Sequence, residues 1–178
     1  LPPVENPRGL MMKLAYRLSR RQYGKVMTPM KVFAARMPAA FGRMGATIYR
    51  LDEQLGLPRE LVFLVRQQVA RTNICDFCMD IGRYRAMQEA MDEDKFYAMD
   101  DYRSSKLFSA AEKAALDYAG ELTRYRKVSP ETFARLAAFF SERQICGIVY
   151  LVASEHLSNI TNIGLNIHSD LFCDIRRR

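Results

Sequence analysis

Apolar residues recur along most of this chain at alternating steps of three and four, the spacing of one face of an α-helix. The clearest stripe, expected to face the core, consists of Phe41, Met44, Ile48, Leu51 and Leu55. A second inward-facing stripe, which continues to about Thr72, consists of Leu61, Leu64, Val65, Gln68 and Val69. No stretch alternates apolar and polar residues as a strand does. The pattern therefore predicts an all-α domain of about seven to nine helices.

Local signals mark where several of these helices begin and end. Gly24 and Gly56 stand where a left-handed residue closes a helix. Ser109 and Ser141 are each followed three residues later by Glu or Gln, the capping box that starts a helix. We expect the second box to open the longest helix, which runs to Gly164 or a little beyond.

The first 50 residues carry ten basic side chains and one acidic side chain, a net charge of +9, whereas the remainder is −2. They include a predicted basic amphipathic helix from Leu10 to about Tyr23, with Leu14 and Leu18 on its apolar face. We expect that face to dock on the core or on another subunit. Nucleic acid, an anionic membrane surface or an acidic partner could bind the basic side. Because no nucleic-acid-binding module is recognisable, we interpret that side as solvated and expect no nucleic-acid partner.

Length and composition are those of one globular domain, with 178 residues of which 49% are hydrophobic. We divide the chain into a basic N-terminal extension (1–37), a helical domain (38–170) and a C-terminal tail (171–178). No run reaches the roughly 18 to 20 apolar residues of a membrane-spanning helix, and the N-terminal residues do not resemble a signal peptide. The expected location is therefore the reducing cytoplasm.

Two of the four cysteines, Cys75 and Cys78, lie at a spacing that lets both sulfurs meet. If Cys75 opens a helix, Cys78 lies one turn further along the same face. The unpaired N–H groups and the dipole of a helix start favour thiolate over thiol. Local geometry favours Cys75 as the more exposed of the two. In a reducing compartment such a pair indicates redox chemistry or metal binding rather than a structural role.

The segment from Glu60 to Tyr84, with its ending Asn-x-Cys-x-Phe-Cys-x-Asp-Ile-Gly, resembles the core of the carboxymuconolactone decarboxylase and alkylhydroperoxidase D (AhpD) family. The order of later landmarks is also similar, so the resemblance covers about Pro38 to Asn166. It implies an AhpD-like helical bundle and a homo-oligomer, often a trimer or hexamer. It also implies thiol chemistry in which Cys78 attacks and Cys75 resolves the product.

The sequence departs from the family at the residues that activate the thiol. In the hydroperoxidase pattern a histidine follows the second cysteine by four residues and a glutamate precedes the first by twelve, forming a proton relay. Those positions are Gly82 and Phe63 here. The relay is therefore absent or rebuilt from elsewhere. Gly82 leaves a space above the sulfur of Cys78, which a substrate or a side chain from another helix could fill.

The last long helix offers groups that could replace the relay. Its polar stripe, at steps of four, three and four, consists of Glu155, Asn159, Asn162 and Asn166. Such groups cost too much to bury unpaired, so we expect them to face a pocket, an intersubunit contact or water. His156 lies beside this stripe and is either a satisfied core histidine or a catalytic base.

These considerations give two sets of candidate site residues. The candidate catalytic residues are Cys75, Cys78, Glu155 and His156. The candidate substrate-binding residues are Arg66, Gly82, Asn159 and Asn162. Arg66 could hold a substrate carboxylate or pair with Glu155.

The remaining cysteines do not complete a metal site. Zinc would need Cys146 or His156 in addition to the pair, and no second Cys-x-x-Cys follows, so we expect no metal and no cofactor. We interpret Cys146 as a buried small hydrophobe and Cys173 as a tail thiol.

We interpret the chain as a thiol-dependent peroxidase or disulfide reductase that uses Cys75 and Cys78. The expected partners are a small hydroperoxide and a thiol reductant protein. The first alternative is a cofactor-free decarboxylase or lyase on a small carboxylated ring compound, with Arg66 binding the acid group. The second is a non-catalytic oligomeric binding module, in which the relay was lost because no chemistry is done.

Overall fold

The structure, a computed structural model, describes residues 1–89 and 91–173, so most of the predicted tail lies outside the described residues. Within those ranges the chain is helical and has no β-strand, which confirms the all-α prediction. The helices are α1 (Leu10–Tyr23), α2 (Pro38–Asp52), α3 (Arg59–Thr72), α4 (Asp76–Gln88), α5 (Glu93–Tyr97), α6 (Ala110–Tyr125), α7 (Pro130–Ala137) and α8 (Glu142–Gly164). A π-helical turn, Met30–Ala34, precedes α2, and a 3₁₀ turn, Ala98–Asp101, follows α5.

The predicted helix ends form as the local chemistry requires. Ser109 and Ser141 each accept a hydrogen bond from the backbone three residues on, and the Glu or Gln there returns one, so both capping boxes are complete. Gly24 and Gly56 are left-handed, with φ of 75° and 65°. The longest helix begins after Ser141 and ends at Gly164, as predicted.

The core lies where α3 packs between α6 and α8, while α4 packs against another side of α3. The fully buried side chains at its centre include Leu64, Val65 and Val69 from α3, Ala115 and Leu116 from α6, and Ile148 and Leu151 from α8. Because α3 is central, the turn at its C-terminal end, which leads into the Cys-x-x-Cys pair, has a rigid support.

The apolar face predicted for α1 is not the face that this helix buries. Leu10, Leu14 and Leu18 are exposed, and the buried residues of α1 are Met12, Tyr16, Ser19 and Tyr23. The reason is a non-local contact: the Tyr16 hydroxyl donates to the Val4 carbonyl at 2.7 Å, and Tyr16 packs with Val26 and Met30. The leucine face is left without a partner within the described part of the chain.

The stripe from Phe41 to Leu55 was also predicted to be core, and that prediction is wrong for its part on α2, although Leu55, beyond the end of α2, packs against the core. Phe41, Met44 and Ile48 are only half-buried, Leu51 is exposed, and the described part of the chain buries no residue of α2 fully. This helix packs mainly against the π-helical turn rather than against the central helices. A helical stripe predicts that one face is apolar, but it does not determine what covers that face.

Residues 169–173 are fixed to α4 by the carboxylate of Asp80. That carboxylate accepts hydrogen bonds from the Ser169 hydroxyl at 2.8 Å and from the backbone N–H groups of Phe172 at 3.0 Å and Cys173 at 3.1 Å. The Phe172 ring is fully buried against three other rings, those of Tyr23, Phe77 and Tyr84. The start of the predicted tail is therefore part of the packed structure.

The turn between α3 and α4 is a Schellman motif with an unusual residue in its left-handed position. The Ile74 N–H donates to the Arg71 carbonyl and the Cys75 N–H to the Ala70 carbonyl, at 3.1 and 2.9 Å. Ile74 has φ of 57° and is 76% exposed, although Gly or Asn normally occupies this position and a β-branched residue is strained there. The strain lies directly before the first thiol.

We expect Ile74→Asn to raise the free energy of unfolding by about 1 kcal/mol, because asparagine tolerates the left-handed conformation better than a β-branched side chain. The measurement is urea unfolding of both proteins. The matched control is at the end of α8, where Asn166 has φ of 54° and forms the same hydrogen-bond pattern. Asn166→Ile should lower stability by a similar amount, and equal stabilities across all three proteins would contradict the interpretation.

Candidate functional site

Cys75 and Cys78 are joined by a disulfide, with their Cα atoms 5.3 Å apart. Cys75 is the N-cap of α4 and Cys78 is the third residue of that helix, so both lie where backbone N–H groups lack intrahelical partners. Both are buried: Cys75 is 1% exposed and Cys78 is 6% exposed. The expectation that Cys75 is the more exposed of the two is therefore wrong.

The sulfurs have mainly apolar neighbours and one polar contact. Ala70 of α3 packs on both cysteines, with Met79 at the edge of the cluster. The Nδ2 atom of Asn162 on α8 donates to the Cys78 sulfur at 3.4 Å, a buried contact. An N–H group aimed at this sulfur favours the thiolate over the thiol once the disulfide is reduced.

The space at Gly82 is filled by a side chain from another helix. Gln67 of α3 is buried, its Nε2 donates to the Met79 carbonyl at 3.0 Å, and a Cβ atom at position 82 would lie only 2.2 Å from that nitrogen. Gly82 therefore permits the close approach of an amide. That amide lies where the family pattern has histidine, so no titratable group occupies this place.

Sequence reasoning placed Gln68 rather than Gln67 on the inward face of α3. Both glutamines turn inward, toward different neighbours: the Gln67 amide lies against Gly82, and the Gln68 amide lies against Gly120 of α6, where a Cβ atom would be 2.8 Å from Nε2. The sequence signal for the Gln67 contact is the glycine at position 82, which leaves room for a side chain from another helix. Using this signal requires knowing that α3 and α4 face each other there.

A continuous set of hydrogen bonds connects α8 to the residue two positions before Cys75. Glu155 Oε1 accepts from Asn159 Nδ2 at 2.7 Å, and Asn159 Oδ1 accepts from Asn73 Nδ2 at 2.9 Å. Asn73 Nδ2 also lies 3.1 Å from His156 Nδ1. Three residues of the polar stripe of α8, Glu155, Asn159 and Asn162, therefore face α3 and α4 of the same chain, whereas the fourth, Asn166, is exposed.

Arg66 is engaged by two carboxylates. Its Nη1 donates to Glu155 at 3.0 Å, and its Nη2 contacts both oxygens of Asp52 at 2.8 and 2.9 Å. Of the two alternatives for Arg66, the ion pair with Glu155 is present. A substrate carboxylate would have to displace Asp52 or Glu155 to bind this guanidinium.

His156 lies in an environment that favours its neutral form. Its Nδ1 faces the Asn73 amide nitrogen, and its Nε2 lies 3.0 Å from the Arg126 guanidinium. Burial, followed by the charge of Arg126, lowers the pKa of His156 below its usual value of 6.5. A protonated ring would present N–H groups to two donors, so both contacts oppose protonation.

A cleft of about 800 Å³ lies along α3 and α4, the helices that meet at the cysteine pair. Its α3 wall includes Phe63 and Arg66, and its α4 wall includes Tyr84 and Arg85. Phe63, the residue at the glutamate position of the relay, is thus part of this cleft and supplies no carboxylate. The two cysteines do not line the cleft.

The remaining predictions concern Cys146, metal binding and membrane-spanning helices. Cys146 is exposed, so its interpretation as a buried hydrophobe is wrong. Residues 1–89 and 91–173 contain no group of three or more His, Cys, Asp or Glu side chains placed to hold a metal ion. Within the same ranges no helix is both long and apolar enough to span a membrane.

Comparison with known proteins supports the fold. No protein-family model matches the chain. It is 29% identical over 181 residues to the uncharacterized protein YnjA of Escherichia coli K12, a match that covers 98% of this chain and 96% of that protein. A second match, of 24% identity over 118 residues, is to the uncharacterized protein YdfG of Bacillus subtilis, covering 65% of this chain and 80% of that protein.

Two solved structures are similar over most of the chain. The debrominase Bmp8 has a TM-score of 0.80 at 17% identity, covering 96% of this chain and 91% of that one. A Bmp8 variant with one cysteine replaced by alanine was solved in complex with 2,3,4-tribromopyrrole. ATU0492 of Agrobacterium tumefaciens, suggested to be the antioxidant defence protein AhpD, has a TM-score of 0.72 at 21% identity, covering 78% and 96%. The chain therefore has the AhpD-like all-α fold.

The lowered pKa of His156 predicts a pH dependence of stability. Below about pH 6.5 the unfolded chain takes up a proton at this histidine while the folded chain resists it, so folding stability falls as the pH falls. We expect His156→Gln to make this fall between pH 7.5 and 5.5 smaller than in the wild type, because glutamine does not titrate. The measurement is the free energy of unfolding in urea at both pH values.

The control for this prediction is a change between two groups that do not titrate in this range, on the same helix. Thr161→Gln, which replaces a hydroxyl that donates to the Leu157 carbonyl, should leave the difference between the two pH values as it is in the wild type. If His156→Gln also leaves that difference unchanged, the protonation of His156 is not linked to folding.

Proposed function

We propose that this protein is a thiol-dependent oxidoreductase, a peroxidase or disulfide reductase, in which Cys75 and Cys78 alternate between dithiol and disulfide. The observation that carries the proposal is the disulfide itself, held at the start of α4 with an amide N–H of Asn162 aimed at the Cys78 sulfur. A helix N-terminus and a hydrogen-bond donor both favour thiolate. The AhpD-like fold of a neighbour suggested to act in antioxidant defence agrees with this assignment.

Cys78 is the attacking thiol in this proposal, because it is the sulfur that Asn162 contacts and the less buried of the pair. The Cys78 thiolate attacks one peroxide oxygen, the O–O bond breaks, and the alkoxide leaves as an alcohol after taking a proton. The resulting sulfenic acid reacts with the Cys75 thiolate, so an S–S bond forms, the S–O bond breaks, and the oxygen leaves as water after protonation. An external dithiol, the expected thiol reductant protein, then reduces the disulfide and is itself oxidised.

We assign positioning roles to the polar residues of α8 that were candidates for the relay. The hydrogen bonds of Glu155, Asn159 and His156 lead to Asn73, two residues before Cys75, and not to a sulfur. In this assignment they hold the α3–α4 turn in the geometry that places both thiols. Of the four candidate substrate-binding residues, Asn162 becomes a thiolate-stabilising group instead.

A second candidate function is reductive dehalogenation of a small aromatic compound. The debrominase Bmp8 has a similar fold over nearly the whole chain, and four aromatic side chains line the cleft along α3 and α4. The dithiol would supply two electrons: a carbon–halogen bond breaks, carbon takes a proton, halide leaves, and the disulfide forms. The lyase alternative is less favoured, because Arg66 is already neutralised by Asp52 and Glu155.

The first test measures the reactivity of the reduced thiols. We expect Cys78 in a Cys75→Ser protein to be alkylated as a thiol with a pKa below the ordinary value of ~8.5, and to shift toward that value when Asn162 is replaced by alanine. Thr161→Ala, a change at the residue next to Asn162 on α8 whose hydroxyl donates to the Leu157 carbonyl, is the control and should have no effect. The measurement is the alkylation rate against pH.

The second part of the test adds one equivalent of organic hydroperoxide to the reduced wild-type protein and follows closure of the Cys75–Cys78 disulfide by mass spectrometry. Closure within seconds supports peroxidase chemistry. A slow response to hydroperoxide, but rapid closure with release of halide from a bromopyrrole, would favour the second candidate. Two slow thiols of ordinary pKa would exclude both and leave the binding module as the function to test.

We also propose that the protein is a homo-oligomer, with a trimer or hexamer as the expected form. The leucine face of α1 and the exposed apolar residues of α8, Leu157, Ile160 and Ile163, lack a cover within the described part of the chain. A second copy of the chain fits both faces, because the basic first 50 residues and the acidic remainder have opposite charge.

The mass in solution tests this assembly. Light scattering should give a multiple of the 20.5 kDa chain for the wild type, and a single chain for a variant with Leu157→Glu and Ile160→Glu. Leu107→Glu, which changes an exposed leucine on neither helix, is the control and should keep the wild-type mass. A wild-type mass of 20.5 kDa would contradict the proposal.

A further inference from the structure

The groove between α3 and α4 contains three successive layers of side chains, each about one helical turn of ~5.4 Å from the next. The first layer belongs to the cleft and includes Phe63 from α3 and Arg85 from α4. The second is the contact between Gln67 and Gly82. The third is the cluster of Ala70 with the two cysteines, including Cys78 of α4. The order follows from the spacing: 63, 67 and 70 share one face of α3, and 85, 82 and 78 share one face of α4.

Along this groove the layer of Gln67 and Gly82, neither of which lines the cleft, lies between the cleft residues and the reacting sulfur. The Gln67 side chain fills this layer, and the hydrogen bond from its Nε2 to the Met79 carbonyl is the polar contact that holds it there. Since glycine stands opposite, α4 contributes no side chain at this point. A rotation of the Gln67 side chain about its own torsions would open a passage of one turn between the cleft and Cys78.

The lining of the cleft indicates what it could hold. Four aromatic side chains line it: Tyr23, Tyr49, Phe63 and Tyr84. Its volume of about 800 Å³ is that of a site for a small organic molecule.

The cleft lining has no net charge, because its three arginines, Arg59, Arg66 and Arg85, are balanced by three carboxylates, Asp52, Glu53 and Glu89. Arg59 pairs with Glu89, and Arg66 pairs with Asp52. A flat, uncharged aromatic molecule fits such a lining better than a carboxylate or a phosphate does, because the lining carries no excess positive charge to hold an anion.

We propose that the cleft binds a flat, uncharged aromatic substrate and that the Gln67 side chain is the gate that admits it to the Cys78 sulfur. The identification of Cys78 as the reacting thiol rests on the proposed function. The gate itself rests on the contact between Gln67 and Gly82. The hydrogen bond of the Gln67 amide goes to the Met79 carbonyl and not to a sulfur, so in this proposal Gln67 acts by controlling access.

The test measures access to one sulfur. In a Cys75→Ser background, Cys78 is alkylated with N-phenylmaleimide and with N-ethylmaleimide, and its labelling is followed by peptide mass spectrometry. We expect Gln67→Ala to speed labelling by the aromatic reagent about tenfold, the shift in a two-state equilibrium that the loss of one hydrogen bond and its side chain can give. Gln67→Ser should act in the same direction if the alanine variant does not fold.

The matched control is the neighbouring glutamine. The Gln68 amide also lies against a glycine, Gly120, but on the side of α6. Because Gln68 lies outside the groove, Gln68→Ala should leave the labelling rate of Cys78 within about twofold of the rate in the protein that retains Gln68. A twofold change corresponds to under about 0.5 kcal/mol. Equal effects of the two alanine variants would overturn the gate, because a general loosening of α3 would then explain the labelling.

A second measurement leaves Gln67 unchanged. In the same Cys75→Ser background, 2-naphthol at millimolar concentration should slow the labelling of Cys78 and leave that of Cys146, which is exposed on α8, unchanged. Phe63→Ala, which removes one aromatic wall of the cleft, should weaken this protection. Absence of protection at Cys78 would overturn the aromatic assignment. Because alkylation involves no oxidant, failure of the disulfide to close with peroxide or halide substrates would contradict the proposed function and not the gate.

Discussion

Asn159 lies fully buried on α8, where an amide without partners would cost several kcal/mol. It is satisfied by Glu155 on its own helix and by Asn73 at the C-terminal end of α3. Asn162, one turn further, contacts the Cys78 sulfur. These buried amides permit one position of α8 against the α3–α4 turn, because a slip of either helix would leave them unpaired. The place of both thiols depends on this constraint.

The activation that we propose for the thiol differs from that of a charged relay. A carboxylate and an imidazole would move a proton, whereas amides and a helix N-terminus only stabilise the thiolate. The Gln67 amide lies where the family pattern has histidine, and the glycine at position 82 leaves room for it. The two residues therefore fit each other in size. A cleft with four aromatic side chains and no net charge lies along the same two helices as the buried Cys78 sulfur, which does not line it. The strained turn at Ile74 leads the chain directly into Cys75.

The patterns along the chain predicted much of the helical structure and little of its burial. Both capping boxes and the left-handed glycines are local signals, and the structure has them at the predicted residues. The α2 stripe shows the limit: its spacing is helical, yet no residue of that helix is fully buried by the described part of the chain. In α1 the structure buries Tyr16 and exposes Leu14, because a hydroxyl contact with Val4 decides which side turns inward.

The sequence by itself determined the all-α class, several helix ends and the pair Cys75 and Cys78, because propensities, caps and a spacing of three act within one or two turns of chain. Only the tertiary structure decided that Gln67 fills the space at Gly82, that Arg66 is held by two carboxylates, and that the polar stripe of α8 faces Asn73. Each of these contacts joins different helices. Their energies depend on how those helices pack, and no local pattern records that packing.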